Sequence, residues 1–484
     1  MSNKKNILGI GFVILLILVI GSNTVIFSSS EEVQKVEGET AVSGTTYFNY
    51  LPSMYEGSAP LLCRFGVNVL GPISQYDYVS LRSGWYANYI AEEEPDLPKG
   101  TEFVQTIRFR QIGADGYNPS KDQAEIEAIA IANPGSKWLV GNEPDRSDFQ
   151  DDLVPLVYAK AYHDTYEIVK NVDPTAKIYA GTIVQPTPVR LEYLDLVLSN
   201  YQSMYGTAMP VDGWSIHNFV LNEVSCDYDP DNCWGAEIPP GVDADFGEIL
   251  TIEDNKNLDL FEERIVRFRQ WMFDNGYAGL PVMLSEYGVL IPEDFSGFSQ
   301  PEVNVFMTGS FEYMLAATDP VLGDPNDEYR LIQQFSWYST GAPGDIFNGN
   351  LFDKDTQVIT SMGLNYANYA STVVSDVDLL PSQLTSDTAG PNIDLTVTVG
   401  NAGNLTNVSG PATVRFYDGD PSSGGVQIGS DSIVSLSGCG TAESVTVTWN
   451  SPGAGPHTVY ALIDEENRVA ESDESNNQIS INIP

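Results

Sequence analysis

Two glutamates of this chain stand directly behind apolar runs: Glu143 in W-L-V-G-N-E-P-D, residues 138–145, and Glu286 in P-V-M-L-S-E-Y-G, residues 281–288. Singly, each reads as an ordinary ionised surface residue. Two carboxyl groups converging from strand ends meet the needs of acetal hydrolysis: one protonates the leaving oxygen, the other attacks the anomeric carbon or assists a water there. His217 follows the run G-W-S-I and is expected to orient a carboxylate or a substrate hydroxyl, although a histidine at a strand end is often only a satisfied structural residue. Trp85 and Trp337 also fall at strand ends, where an indole face can meet the C–H face of a pyranose; the competing reading for both is barrel core. Trp138 and Trp214 begin their runs and read as packing. HExxH, GxSxG and Cys/His dyad signals are missing from the sequence, so metalloprotease and serine-hydrolase chemistry has nothing to stand on, and no metal or cofactor is expected.

The elements that must carry these residues alternate between short apolar runs and helix-period segments from about residue 60 to 370, the pattern of a parallel sheet with helical crossovers. Eight strands are expected: 63–70, 84–90, 103–110, 138–142, 177–183, 213–219, 281–286 and 331–338. Between the last three lie segments such as 258–273, where Leu258, Phe261, Ile265, Phe268 and Met272 recur at three- and four-residue steps. Eight units of this kind predict an α/β fold, a (β/α)₈ TIM barrel over residues 59–374, with Glu143 behind strand four and Glu286 behind strand seven. A doubly wound open sheet is the alternative, but no Gly-rich phosphate fingerprint follows the first strand. After about residue 375 helical periodicity gives way to alternation, as in Ile393, Leu395, Val397 and Val399, which predicts a small all-β immunoglobulin-like sandwich over 375–484.

The chain has 66 Asp and Glu against 23 Lys and Arg, a formal charge of −43, which argues against nucleic acid or an anionic membrane surface as a partner. Lys4 and Lys5 precede an apolar stretch from Ile7 to Ile20 with small residues beyond it, so residues 1–30 read as a secretory signal peptide or an uncleaved anchor, with 31–58 as a spacer. Either way the rest of the chain is expected outside the cytoplasm, secreted or at the cell surface. Cys226 and Cys233 bracket a six-residue loop, DYDPDN, and are expected to form a local disulfide, while Cys63 and Cys439 are expected to be single thiols. The loop's Asp227, Asp229 and Asp231 lack the Gly and terminal Glu of an EF-hand and read as a solvated turn.

The run N-E-P-D at strand four, S-E-Y-G at strand seven, H-N-F at strand six and S-W-Y at strand eight resemble the clan A glycoside hydrolases. Trp85, Tyr86, Ala87 and Asn88 match the W-Y-x-N motif, and Glu102, Phe103 and Val104 the E-F-V motif, of glycoside hydrolase family 128, the glycosyl-hydrolase catalytic-core family of β-1,3-glucanases. The resemblance implies a retaining double displacement with Glu143 as general acid/base and Glu286 as nucleophile, and Asn142 on the sugar 2-hydroxyl. Trp85, Asn88, His217, Tyr287 and Trp337 complete the set expected to contact substrate. The family commonly carries H-W-Y on strand six; here Phe219 replaces that tyrosine. The substrate implied is a β-linked polysaccharide, β-1,3-glucan first, with a β-xylosidase or β-1,4-glycanase as the alternative within the clan and a non-catalytic glycan-binding surface protein as the alternative outside it. V-G-N-A-G-N at 399–404 and A-L-I-D-E-E-N-R-V-A-E-S-D-E-S-N-N at 461–477 resemble the CARDB adhesion module, which implies attachment to a cell surface or polymer.

Overall fold

The computed structural model describes residues 49–50, 61–98, 101–146, 150–342, 347–373, 377–389, 391–403, 411–436, 438–439, 441–453 and 455–483; the apolar N-terminal segment lies outside them. The strands of the first domain are β1 (Phe65–Asn68), β2 (Trp85–Ala87), β3 (Glu102–Phe103 and Gln105–Ile107, one run interrupted at Val104), β4 (Lys137–Val140), β5 (Lys177–Ile183), β6 (Gly213–His217), β7 (Val282–Tyr287) and β8 (Gln334–Tyr338). Each pairs in parallel with its neighbour, and β8 returns to β1 with Trp337 opposite Val67, which closes the ring. The eight expected strands are all present; β5 keeps its expected bounds, β7 is shifted by one residue, and the others are shorter where the chain leaves the ladder for the loops.

Helices α1 (Gln123–Ala132), α2 (Pro155–Val172), α3 (Pro188–Tyr205), α4 (Leu258–Asp274), α5 (Gln300–Ala316) and α6 (Ser361–Ala370) follow β3 to β8 in turn; the β1–β2 crossover holds only 3₁₀ turns. Proline opens α2 and α3 at the position where its missing N–H costs nothing, and α3 ends on the left-handed Gly206. Helix α4 is capped by the Asn257 side chain and buries Phe261, Ile265, Phe268 and Met272 against the barrel, the stripe its spacing calls for.

Inside the barrel, Trp85, Ala87, Val104, Leu139, Tyr179 and Met283 form their own buried cluster. Two glycines make room for its large rings: a Cβ at Gly66 would come within 2.2 Å of the Trp85 indole, and one at Gly213 within 2.5 Å of the Tyr179 ring. Trp138 and Trp214 lie wholly buried, as expected of packing residues.

The second domain is a sandwich of β9 (Leu379–Ala389), β10 (Asn392–Asn401), β11 (Ala412–Asp418), β12 (Val426–Val434), β13 (Thr441–Trp449), β14 (His457–Ile463) and β15 (Gln478–Ile483). One sheet runs β13-β10-β9 and the other β12-β11-β14-β15, with Leu395, Val397 and Val399 facing Val414, Phe416, Val459 and Ile463 across the core. The backbone of Asn49–Tyr50 adds to the free edge of β13.

Cys63 and Cys439 are not single thiols. They form a disulfide across 376 residues of sequence that ties the turn before β1 to the segment before β13. Connectivity between distant cysteines is a property of the folded arrangement and cannot be deduced from spacing. Cys63 sits at the N-terminal end of β1, so the tether lies on the face of the barrel opposite the strand C-termini. Cys226 and Cys233 are joined as a local disulfide.

Candidate active site

Beyond Val140 the chain turns through Gly141, at φ +89°, into Asn142 and Glu143. Glu143 itself is left-handed at φ +46°, as is Thr182 at φ +50° behind it. Such a conformation costs a non-glycine residue on the order of 1 kcal/mol or more and persists only where its surroundings fix it. The Glu143 N–H donates to the Thr182 carbonyl at 3.0 Å. Asp151 accepts from the Asn142 N–H at 2.9 Å and the Phe109 N–H at 3.1 Å, and pairs with Arg108 at 2.6 Å. Asp145 is held by Arg190 at 2.6 Å, which also reaches Glu223 at 2.7 Å, all three wholly buried. From α2, the Tyr158 hydroxyl donates to the Val140 carbonyl at 2.9 Å and accepts from the Gly181 N–H at 2.9 Å, filling the gap where β4 and β5 cease to pair. Tyr158→Phe would leave both backbone groups buried without that partner. It is expected to lower the unfolding free energy by about 1–3 kcal/mol, and to reduce turnover by releasing the Glu143 turn; chemical denaturation alongside activity checks both.

The second carboxylate is placed by sheet register alone. His217 of β6 pairs with Glu286 of β7, and the Asn218 N–H donates to the Glu286 carbonyl at 3.1 Å. One residue earlier on β7, the Ser285 hydroxyl meets Ser215 at 2.7 Å and its carbonyl accepts from Asn68 at 3.0 Å, so β1, β6 and β7 are locked together beneath the site.

The imidazole of His217 stands between the two acids. Nδ1 lies 3.1 Å from Glu143 Oε1 and Nε2 lies 3.4 Å from Glu286 Oε1. One carboxylate oxygen of each glutamate and a His217 nitrogen all fall within 4.8 Å of one another, and all three side chains are buried. The group has the donor types of a cation site, but Nδ1 is hydrogen-bonded to Glu143 and Nε2 faces Glu286. A protonated ring would itself be the positive charge between them.

Burial pulls the His217 pKa down, yet the charge of Glu286 and the hydrogen bond to Glu143 outweigh it and hold the ring above its ordinary value. Burial also raises Glu143, but Arg146, at 3.3 Å, and His217 together bring that carboxyl down to about 2. Burial pushes Glu286 up to about 7, with the charge of His217 opposing and that of Glu143 adding to the rise. Below about pH 7 the pair therefore holds one proton, on Glu286. Groups that share protons this closely titrate as a unit.

The structure brings Glu143, His217 and Glu286 together and seats Asn142, buried, beside Glu143. Asn88 lies on the loop after β2, where its amide donates to Glu92 at 2.7 Å. Three expected substrate contacts are corrected. Trp85 is wholly buried inside the barrel, its indole N–H on the Arg64 carbonyl at 3.0 Å. Trp337 is wholly buried, donating to Gly349 at 2.8 Å with its ring edge-on to Tyr287. Tyr287 points into the helix layer, packed on Phe261 with its hydroxyl near Ser310. Trp85 opens β2 and fills the barrel interior at the end away from the mouth, while the alternation of β7 and β8 turns Tyr287 and Trp337 toward the helix layer. Sequence reasoning missed Arg146 and Arg108; an arginine directly behind N-E-P-D in a chain poor in bases was the available signal.

A CARDB family model matches residues 376–481, so the sandwich is a CARDB domain. No curated protein matches the chain. Among solved structures, a glucosidase from Croceicoccus marinus is 14% identical, covering 83% of this chain and 95% of its own, at a TM-score of 0.41. A monomeric β-xylosidase from Caulobacter crescentus is 10% identical, covering 84% and 98%, at a TM-score of 0.42. The CARDB domain of a Pyrococcus furiosus protein is 24% identical, covering 23% and 95%, at a TM-score of 0.19.

Proposed function

We propose that this barrel, joined to a CARDB domain, is a retaining glycoside hydrolase that cleaves a β-linked polysaccharide, β-1,3-glucan first among them, through Glu143 and Glu286. The observation that carries the reading is the pair itself: two buried carboxylates with oxygens within 4.8 Å at the C-terminal mouth of a barrel. That spacing sits near the roughly 5–5.5 Å of retaining pairs and below the roughly 6.5–9.5 Å that an inverting pair needs to admit a water. A protein that only binds glycans gains nothing from two buried acids that repel each other.

In the proposed reaction Glu286 attacks the anomeric carbon while Glu143 protonates the departing oxygen; water then enters with Glu143 as base, and the glycosyl–Glu286 bond breaks. The resting proton on Glu286 must reach Glu143 first. A protonated His217 carries hydrogen on both ring nitrogens and does not relay it, so the proton passes between the carboxyl oxygens, which lie within 4.8 Å of one another, and the ring's charge is the same before and after. Because the active form is the singly protonated pair, kcat/KM is expected to fall about tenfold per pH unit above about 7, where Glu286 loses its proton. Initial rates from pH 4 to 9 check the position of that limb.

The proposal extends to location: the N-terminal segment exports the chain or holds it at the cell surface, and the CARDB domain attaches it to a surface or polymer. The test of the activity is reducing-end release by residues 31–484 from β-1,3-, β-1,4- and mixed-linkage glucans, xylan and mannan. Cleavage of β-1,3-glucan is expected. Cleavage of xylan or a β-1,4-glucan instead keeps the enzyme and replaces the substrate, and polymers bound but uncut would favour a surface-binding protein.

A further inference from the structure

With Trp85 and Trp337 consumed by the core, the surface that receives sugar rings must be built from other residues. Five partly buried apolar side chains lie on five separate loops: Leu70 after β1, Tyr89 after β2, Trp234 between β6 and α4, Leu290 after β7 and Phe347 between β8 and α6. All five rest on one buried cluster that includes Phe219 and Tyr338. Phe219 stands edge-on to the His217 ring at 6.2 Å, so this apolar arc is continuous with the catalytic site. The opposite arc, from the loops after β3 and β4, is polar: the Arg108 guanidinium donates to Gln150 at 2.9 Å, with Asn142 alongside.

Trp234 differs from the other four in how firmly its backbone is tied to the chemistry. Arg146 donates through one guanidinium nitrogen to Glu143 at 3.3 Å and through the other to the Gly235 carbonyl at 3.2 Å. On the other side, Asn222 donates to the Trp234 carbonyl at 3.3 Å and to the Asn232 carbonyl at 2.8 Å. Gly235 has φ +105°, and a Cβ there would come within 2.4 Å of the Asn222 carbonyl, so the close approach requires glycine. The Cys226–Cys233 disulfide closes the loop immediately before it.

We infer that Trp234 is the platform on which an uncharged pyranose unit of the substrate lays its C–H face, with its hydroxyls turned to the polar arc. The inference rests on the proposed glycosidase reading and names its substrate class. Charge selects neutral sugars over uronates. The chain carries −43, and the two arginines at the pair already face carboxylates, Arg108 on Asp151 and Arg146 on Glu143. Among the described residues at the pair, a sugar carboxylate meets negative potential and both arginines already engaged with carboxylates.

The test uses titration calorimetry on the Glu286→Gln chain, so that binding is read without turnover, with β-1,3-gluco-oligosaccharides and with oligosaccharides containing uronic acid. Adding Trp234→Ala is expected to weaken neutral oligosaccharide binding by roughly 10- to 100-fold, the range of a central indole contact. Trp234→Phe is expected to retain most of the affinity, and circular dichroism of both variants to match the parent. In the active chain, Trp234→Ala is expected to raise KM with kcat nearly kept. Unchanged affinity in Trp234→Ala, or uronate oligosaccharides bound as tightly as neutral ones, would overturn the inference. If the active chain cleaves none of the panel polymers and the Glu286→Gln chain binds no oligosaccharide, the glycosidase reading itself has failed; cleavage with an indifferent Trp234→Ala removes the platform alone.

Discussion

Glu286→Gln is expected to lower kcat/KM by about 10⁴-fold or more, a loss of about 5.4 kcal/mol of transition-state stabilisation, with little change in stability. Gln has nearly the volume of the acid but can neither attack an anomeric carbon nor release a proton near neutrality. The site tolerates it sterically, since the resting carboxyl is already held neutral by burial up to about 7. Glu143→Gln is expected to cost a similar factor on substrates with poor leaving groups and much less on activated aryl glycosides, which depart without protonation. Added azide with Glu143→Ala and Glu286→Ala, which open space for it, separates the roles: rescue of the Glu143 variant gives a β-glycosyl azide and rescue of the Glu286 variant the α-anomer. Steady-state rates on both substrate classes, with and without azide, check all of this.

The second large effect concerns the tether. Cys63→Ser removes a cross-link that closes 376 residues of chain, and the loop-entropy relation puts its contribution at about 6 kcal/mol. The expected result is a loss of cooperativity between the domains: one melting transition becomes two, the sandwich and barrel unfolding separately. Catalysis on a short soluble substrate is expected to stay within about twofold, because Cys63 lies at the N-terminal end of β1 while Glu143, His217 and Glu286 gather at the other end of the strands. Scanning calorimetry under non-reducing conditions, with kinetics on the same samples, reads both outcomes. The disulfide joins the CARDB domain to the end of the barrel opposite the strand C-termini.

The strands were legible because each is a short apolar run between breakers, and β5 falls on the bounds its sequence indicates, 177–183. The placement of Glu143 and Glu286 behind β4 and at the end of β7 was legible for the same reason. What sits between them was only half visible: His217 could be placed at the end of β6, but the pairing of His217 with Glu286 depends on a register shift that no local pattern encodes. The tryptophans were misread because a strand-end address does not say which way a side chain faces. For Trp85, the deciding residue is Gly66 on the neighbouring strand, whose bare Cα accepts the indole inside the barrel. Arg146 and Trp234 act through contacts spanning the chain from 143 to 235, and pairing at that distance exists only in the fold.

The most direct test of the two-glutamate account is covalent trapping. The chain spanning 31–484 is incubated with an activated 2-deoxy-2-fluoro-β-glycoside of the sugar it cleaves, and intact and peptide masses are recorded. The expected result is one fluoroglycosyl unit per chain, mapped to Glu286 and absent from Glu286→Gln. No adduct from a chain that turns over the parent glycoside, or an adduct on Glu143, would contradict the account.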